Sequence, residues 1–452
     1  HTSFCQVTGV QTCALPILFP FPVWRRTYPA GALVSNVLGY VGEISEEELR
    51  ASAEGDYFGG DLIGKVGIER FYESELRGAA GEEALEVDAR GRKVRTLDTR
   101  SVMKGSDLKL TLDMGVQKRA VELLTGQKGA LVVMDVRTGA VLALASSPTY
   151  DNNPLAWGVS GREWRDMTQD PARPMLDRSI AGVYPPASTF KALVALAGLE
   201  EGVIAPSTTF FCGGALRLPS RTFRCWRRGG HGRVNVLSAL QYSCDVYFYQ
   251  TGLKLGIDLL MKWCREFRLG EPTGIDLPGE ASGTIAGPEW KKRRFRENWY
   301  PGDTINYSIG QGYLLLTPLQ IARVYAAIAN GGRLVHPFLC DRAYREPIGL
   351  PVGREKLATV QKGLEYVVRK GTGARAGQFG VTIAGKTGTA QNAHGDDHAL
   401  FAGYAPADDP RFVAVAVVEA GKHGSSVASP IVGEILAHIL SHPTGEGGGR
   451  GD

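Results

Sequence analysis

Two pairs of apolar, β-rich segments constrain the fold of this chain more than any other feature. In GALVVMDVRTGAVLALASSP, two such runs flank Arg137, Thr138 and Gly139, which is the spacing of a short antiparallel hairpin. A second pair, FAGYAPADDPRFVAVAVVE, lies near the other end of the chain and turns at DDP. Because helical patterns dominate between the pairs, we predict one antiparallel sheet with helices packed on it, an α+β fold.

The length of 452 residues predicts two domains. Residues 19–106 are polar and turn-rich, with a predicted strand pair around Gly91, and indicate a small α+β module. Residues 107–442 form the predicted main domain, which opens with the alternating, strand-like DLKLTLD and a helix through Leu124. An apolar helix is predicted for 427–440, and the composition of 443–452 predicts a disordered tail.

The N-terminal residues carry no recognisable structural pattern. We expect 1–18 to be a non-native leader and the native start to be missing. The apolar stretch 13–24 is interrupted by Pro16, Pro20 and Pro22, so it cannot form the roughly 20-residue helix that a bilayer requires. A net charge of +4 is small for this length, which argues against nucleic acid as a partner.

A serine and a lysine share one face of a predicted buried helix. Ser188 and Lys191 form S-x-x-K directly after Pro185 and Pro186, and the apolar run ALVALAGL follows. Proline favours the first turn of a helix, and residues at i and i+3 lie on the same face. A lysine desolvated by apolar neighbours can accept the serine proton, which makes the hydroxyl a nucleophile. The motif alone is also compatible with a chance match on a structural helix.

Two further motifs follow in the order expected of one mechanism. Ser243, Cys244 and Asp245 lie within an amphipathic helical stretch. Lys386 begins K-T-G-T within VTIAGKTGTAQ, a predicted strand whose glycines allow a substrate backbone to approach closely. The combination of S-x-x-K, S-x-D/N and K-T-G is typical of serine acyltransferases that react with penicillin.

On these motifs the sequence resembles the class B penicillin-binding proteins, most closely their penicillin-binding protein 2 branch. YPPASTFK, SCDVYFYQ, GDTINYSIGQGYLLLTPLQ and AGKTGTAQ carry the resemblance, while YVGEI and GGDLIGKVGIERFYE match the non-catalytic pedestal of that family. Most relatives have asparagine where this chain has Asp245. In having aspartate there, the chain resembles the penicillin-binding protein 2 branch. The resemblance implies a penicillin-binding transpeptidase domain, a fold shared with serine β-lactamases, and a partial dimerisation-type pedestal.

The resemblance also implies roles for individual residues. Ser188 would be the nucleophile and Lys191 the base for acylation, while Ser243 and Lys386 would relay a proton to the leaving D-alanine. Asp245 would orient its neighbours. The amides of Ser188 and Thr389 would form an oxyanion hole. The substrate carboxylate would be held by residues of the K-T-G-T strand: Thr387, Gly388 and Thr389.

The family resemblance further implies partners and a location. The substrates would be peptidoglycan stem peptides, the inhibitors β-lactams, and the process cell-wall elongation and rod-shape maintenance. A lipid-linked glycan polymerase and other elongation proteins would be partners. The catalytic domain would lie in the periplasm of an inner-membrane protein, with its anchor outside this chain.

Two rival functions use the same serine. A β-lactamase must also hydrolyse its acyl-enzyme, but we find no E-x-x-L-N stretch between Asp245 and Lys386 of the kind that class A β-lactamases use. A non-catalytic receptor or scaffold would bind β-lactams without releasing D-alanine. Two other features are assigned no catalytic role: the basic run at 291–296, interpreted as a solvated face, and the pair His394 and His398, interpreted as part of a loop at the mouth of the cleft.

Cysteine spacing predicts a structural zinc. A glycine- and arginine-rich segment, which reads as an irregular loop, contains four candidate ligands: Cys212, Cys225, His231 and Cys244. Twelve, five and twelve residues separate each from the next. Three thiolates and one imidazole form a closed tetrahedral zinc set without an open position for catalysis. A Cys212–Cys225 disulfide and three unrelated thiols are the alternatives. Some penicillin-binding protein 2 relatives are similar in carrying a metal here.

Overall fold

The computed structural model describes residues 25–53, 56–90, 92–219, 221–393 and 395–442. The predicted leader, Gly91, His394 and the predicted tail lie outside the described residues. The chain divides into two units. The smaller unit contains the described residues through Lys109 and also Tyr150–Asp166, and the larger contains Leu110–Thr149 and the described residues from Met167 onward.

Both units contain strands and helices. The strands are β1 (Val41–Glu43), β2 (Leu62–Gly64), β3 (Glu82–Val87), β4 (Lys93–Arg100), β5 (Gly129–Asp135), β6 (Val141–Ser147), β7 (Phe210–Cys212), β8 (Ala215–Leu218), β9 (Arg221–Arg224), β10 (Gly232–Val234), β11 (Arg333–Leu334), β12 (Ile348–Gly349), β13 (Ala384–Ala390), β14 (His398–Ala405) and β15 (Phe412–Val418). The α-helices are α1 (Ser35–Leu38), α2 (Glu46–Ala51), α3 (Gly67–Phe71), α4 (Glu73–Arg77), α5 (Met114–Leu123), α6 (Asn153–Trp157), α7 (Gly161–Gln169), α8 (Lys191–Glu200), α9 (Val236–Gln241), α10 (Asp245–Glu266), α11 (Pro288–Phe295), α12 (Pro301–Ser308), α13 (Pro318–Ala329), α14 (Arg354–Lys370) and α15 (Ala428–Ser441). The 3-10 helices are Gly31–Leu33, Ala187–Phe190, Asp341–Ala343 and Ala374–Phe379.

The larger unit is organised around one antiparallel sheet of five strands in the order β13-β14-β15-β5-β6. Both predicted strand pairs belong to it, and the turn at Arg137 and Gly139 joins β5 to β6. The sheet residues are apolar on both faces, because helices cover both: every residue of β15 is buried. The α+β prediction is confirmed, and the K-T-G-T motif lies on β13, the outer strand.

The smaller unit consists of short elements held by local pairing. β1 pairs with β2, and β3 pairs with β4, which confirms the strand pair predicted around Gly91. Ser45 caps α2 with a reciprocal pair of bonds: its hydroxyl accepts from the Glu48 amide, and the Glu48 carboxylate accepts from the Ser45 amide. All residues of β3 and β4 are exposed.

Two local predictions were wrong. DLKLTLD does not form a strand; Leu110 makes one isolated bridge to Cys340, and the amides of Thr111 and Asp113 donate to two different segments, at Leu339 O and Leu142 O, so no regular ladder forms. The cysteine-rich segment is not irregular, since β7 pairs with β10 and β8 with β9 within it. The predicted helix at 427–440 is α15. In the described part of the chain, no helix combines the length and apolarity needed to cross a membrane.

Close packing of α10 on α12 depends on Gly252. A Cβ at this position would lie 2.3 Å from the Cβ of Ser308, whose side chain is fully buried. Gly252→Ala should therefore destabilise the fold by up to about 2 kcal/mol, since overpacking costs roughly 1–3 kcal/mol and alanine gains only ~1 kcal/mol over glycine in a helix. Urea denaturation measures the difference.

The matched control is Gly161→Ala, at the exposed start of α7, where the nearest atom to a new Cβ is Arg165 Nη1 at 3.6 Å. This variant should be neutral or slightly more stable. Equal effects of the two substitutions would contradict the packing argument.

Candidate active site

Ser188 and Lys191 lie on one continuous helical turn. Ser188 belongs to the 3-10 helix Ala187–Phe190, and the Lys191 amide that begins α8 donates to the carbonyls of Ser188 and Thr189. Ala187 has a positive φ of 48°, and its amide donates to Gly310 O at 2.8 Å, which fixes the strained entry to the turn. Ser188 is half-buried, whereas Lys191 is fully buried. The turn thus leaves the Ser188 hydroxyl partly exposed and buries the Lys191 amine.

The second motif lies at a break between two helices. α9 ends at Gln241, α10 begins at Asp245, and Ser243 between them adopts a positive φ of 54°. This conformation lets three acceptors converge on one ammonium. Lys191 Nζ donates to Asp245 Oδ1 at 2.6 Å, to Ser243 O at 3.0 Å and to Ser243 Oγ at 3.2 Å. Asp245 also lies in the first turn of α10, where the helix dipole favours a carboxylate.

The third motif lies against the turn that carries Ser188. A Cβ on Gly388 would lie 3.2 Å from Thr189 Cγ2 and 3.3 Å from Pro186 O, so β13 and this turn are in close contact. Lys386 is fully buried, and its Nζ donates to Thr387 O at 3.3 Å. The structure therefore brings all three predicted motifs together.

The hydroxyls of the K-T-G-T strand are held by neighbouring segments. Thr387 Oγ1 lies 2.8 Å from Thr372 Oγ1, and Thr389 Oγ1 accepts from the Gly424 amide at 3.5 Å. β13 pairs only with β14, so its outer edge has no strand partner among the described residues. A peptide substrate can use such an edge by adding as a further strand.

Two buried lysines and one carboxylate determine the electrostatics. Burial lowers the pKa of Lys386 well below its usual value, and the charge of Lys191 acts in the same direction, while Asp245 opposes both. Lys191 Nζ also lies 5.5 Å from the centre of the Phe248 ring, a favourable position for a cation. Asp245 thus pairs directly with the Lys191 amine, while burial and the nearby cation disfavour a proton on Lys386.

Sequence reasoning missed several residues that brace this site. Gln311 Nε2 donates to Thr389 O at 3.2 Å, and Tyr325 OH donates to Thr189 O at 2.8 Å. The Trp226 amide donates to Asp245 Oδ2 at 2.9 Å. Gln311 falls within a segment already associated with the family, but its partner could not be identified. Trp226 had no signal except its place directly after Cys225.

The four predicted zinc ligands form one cluster. Their candidate donor atoms all lie within 4.8 Å of one another, although the residues come from β7, the segments around β9 and β10, and the start of α10. Cys212 Sγ and Cys225 Sγ lie 3.6 and 3.5 Å from His231 Nδ1. A hydrogen bond from Cys244 lowers the pKa of Cys225 to about 5 and raises the pKa of Cys244. Cys212 and Cys225 are free thiols in this structure.

His398 is held by one hydrogen bond and by one aromatic contact. Its Nδ1 accepts from the Ala420 amide at 3.2 Å, and its ring packs edge-on against Tyr184 with 5.7 Å between centres. Burial lowers the pKa of His398. It begins β14, so the sequence interpretation of a polar loop was wrong for this residue.

Comparisons with known proteins agree with the geometry. Residues 129–437 match the family described as the penicillin-binding protein transpeptidase domain, and residues 12–110 match the penicillin-binding protein dimerisation domain. The peptidoglycan D,D-transpeptidase MrdA of Haemophilus influenzae is 38% identical over 96% of this chain and 72% of its own length.

Solved structures extend the likeness to the fold. Pseudomonas aeruginosa PBP2, solved in complex with WCK 5153, is 38% identical, with a TM-score of 0.84 over 93% of this chain and 92% of that one. Helicobacter pylori PBP2, solved in complex with MreC, is 33% identical, with a TM-score of 0.87 over 94% of this chain and 80% of that one. From its sequence, its fold and the convergence of its three motifs, this chain belongs to the penicillin-binding transpeptidases of the PBP2/MrdA type.

Proposed function

We propose that this chain is a peptidoglycan D,D-transpeptidase of cell-wall elongation that works through an acyl ester on Ser188. The observation that carries the proposal is the convergence of a half-buried serine, two buried lysines and a second serine at one place. Lys191 contacts the second motif directly, and β13 with Lys386 packs on the Ser188 turn. Each group needed for acyl transfer is therefore within one small region.

The acylation step follows from the positions of these groups. Lys191, in its neutral form, takes the proton from Ser188, and Oγ attacks the carbonyl carbon of the penultimate D-alanine. The bond from that carbon to the nitrogen of the terminal D-alanine breaks. The nitrogen receives, through the Ser243 hydroxyl and with the assistance of Lys386, the proton that Lys191 took from Ser188, and the free D-alanine leaves. An acceptor amine then attacks the ester, forms the cross-link and releases Ser188.

Backbone amides and the β13 edge support this chemistry. The amides of Ser188 and Thr389 are our assignment for the oxyanion hole, where fixed donors stabilise the tetrahedral charge. Thr387 and Thr389, beside Gly388 and near the Lys386 amine, are assigned to the terminal carboxylate of the donor stem. The Asp245 carboxylate orients Lys191 while its second oxygen accepts from Trp226, which fits a positioning role.

The cysteine cluster supports a structural zinc. For zinc bonds of about 2.3 Å to sulfur and 2.0 Å to nitrogen, tetrahedral angles place S and N about 3.5 Å apart. Cys212 and Cys225 lie at 3.6 and 3.5 Å from His231 Nδ1, so the donor set fits this ion. A closed site of this kind would hold Cys244, which directly precedes Asp245, and Cys225, which directly precedes Trp226. The metal would thus affect the second motif only by fixing the positions of Asp245 and Trp226.

We extend the proposal to location and partners. The chain would act in the periplasm as part of an inner-membrane protein, together with a glycan polymerase. MreC is bound in the Helicobacter pylori PBP2 structure, and another similar structure concerns coordination of polymerization and crosslinking in a peptidoglycan synthase complex. These likenesses support elongation partners for this chain as well.

Penicillin should add its full mass to Ser188 and to no other residue. The adduct should persist, because the sequence shows no base of the class A β-lactamase type for its hydrolysis. Intact-mass and peptide mass spectrometry check both points, and Ser188→Ala should abolish labelling. Rapid loss of the adduct would favour a β-lactamase.

Lys191→Ala should slow acylation at least about a hundredfold, since a positioned general base contributes roughly that factor or more.

Lys386→Met should stabilise the fold while it slows acylation. Because burial and the Lys191 charge lower the pKa of Lys386, the folded state disfavours a proton that the unfolded chain binds. This destabilisation is full below the lowered pKa and disappears as pH rises through the ordinary value of 10.5. The gain in unfolding free energy should therefore be larger at neutral pH than in alkaline buffer and should vanish above the ordinary pKa.

Urea denaturation of the parent and of Lys386→Met, from neutral to alkaline pH, tests whether the substitution raises the unfolding free energy. The exposed Lys254→Met is the matched control and should change stability by less than about 0.5 kcal/mol. A Lys386→Met protein less stable than the parent at neutral pH would contradict the electrostatic argument.

Protein purified without chelator should contain about one zinc per chain. Cys225→Ser and His231→Ala should each lose the metal and lower the melting temperature, as measured by elemental analysis and calorimetry. Cys340→Ser, a buried cysteine outside the cluster, should keep the zinc. Metal-free protein with two fewer titratable thiols would instead establish the disulfide.

A further inference from the structure

The last turn of α11 and the residue that caps it carry a cluster of positive charge. Its members, called the α11 basic face, are all exposed: Lys292, Arg293, Arg294 and Arg296. In the part of the chain that the structure describes, none of them has an ion-pair partner. Glu297, the acidic residue that follows them, instead lies 3.5 Å from the buried Lys291.

Helix stability alone does not explain this face. Cations in the last turn of a helix interact favourably with its dipole. Four of them lie within five residues, however, so like charges come close together and repel one another. Arg296 also adopts the left-handed conformation, with φ of 59° and ψ of 30°, at the helix end. Glycine suits that position better, so the chain keeps a charge there at the expense of stability.

The α11 basic face has a fixed place beside the active site. Trp290 and Phe295, on the same helix, pack on Tyr313 with ring centres 5.3 and 5.4 Å apart. Tyr313 is two residues from Gln311, whose side chain donates to Thr389 on the K-T-G-T strand. Lys291 Nζ anchors the helix by donating to Asp303 Oδ2 at 2.8 Å. A ligand on α11 would therefore lie next to the cleft.

We propose that the α11 basic face binds carboxylates of an uncross-linked peptidoglycan strand and holds the strand beside the active site. The inference rests on the proposed function. Each uncross-linked stem ends in a free carboxylate, so a strand with many stems is a polyanion that matches this face in charge. Phe295 and Tyr300 are 45% and 57% exposed and offer aromatic surface to the same strand.

Co-sedimentation of the full chain with purified insoluble peptidoglycan tests the proposal. Binding should weaken as salt is raised, since exposed charges carry it. Replacing all four residues of the α11 basic face with alanine should reduce affinity about tenfold or more, as expected for several exposed ion pairs. The control removes four exposed cations from α14 instead and should change affinity less than about twofold: Arg354, Lys362, Arg369 and Lys370.

Arg296→Gly separates binding from folding. This variant should bind peptidoglycan more weakly than the parent while its melting temperature stays equal or rises, because glycine relieves the left-handed conformation. A weaker and less stable variant would indicate a structural role for Arg296 and count against the proposal.

Acylation of Ser188 by penicillin distinguishes a failure of the proposed function from a failure of the peptidoglycan-binding inference. Penicillin is too small to reach α11, so every variant should acylate at the parental rate. Failure of the parent to acylate would overturn the proposed function, whereas normal acylation with unchanged polymer binding in the alanine variant would overturn this inference alone. Loss of binding to phosphatidylglycerol vesicles, with polymer binding intact, would assign the α11 basic face to a membrane.

Discussion

The structure of the site depends on one buried ion pair, between Lys191 and Asp245. The pair joins the start of α8 to the start of α10 across 54 residues of sequence, at 2.6 Å. A buried ammonium is tolerated only if it is paired, and removing one partner of such a pair costs about 3–5 kcal/mol. Because Ser188 precedes Lys191 by one turn and Ser243 lies beside the same amine, this contact fixes the geometry of both serines.

The surrounding structure serves to hold that pair and to bring charge to it. The five-stranded sheet supplies β13, whose Lys386 is also buried and therefore opposes a second positive charge at the same place. The segment with the cysteine cluster supplies the Trp226 amide to the second oxygen of Asp245. The carboxylate is thus held from two sides, by α8 and by the cysteine-rich segment, and a change at the cluster can reach Lys191 without any direct contact.

Much of the site could be predicted because its residues form short local motifs. S-x-x-K requires only one helical turn, and K-T-G-T requires only a strand, so the three motifs together with the family resemblance identified Ser188, Lys191 and Lys386. DLKLTLD was misjudged because alternation indicates a strand but not whether a neighbouring strand is present. The pairings inside the cysteine-rich segment were missed because its strands are only three or four residues long. Gln311 donates its side chain to a backbone carbonyl of the site, and Trp226 donates its backbone amide to Asp245; no residue pattern marks such contacts.

The sequence by itself determined the fold class, the nucleophile and the order of the motifs, since these follow from periodicity and from residue spacing along the chain. Tertiary structure alone decided which groups meet. It placed Asp245 on Lys191, put Lys386 where burial and a neighbouring cation disfavour its proton, and gathered four cysteine and histidine side chains into one cluster. The physical reason is that charge coupling and metal geometry depend on distances of a few ångströms between residues far apart in sequence, and only packing sets those distances.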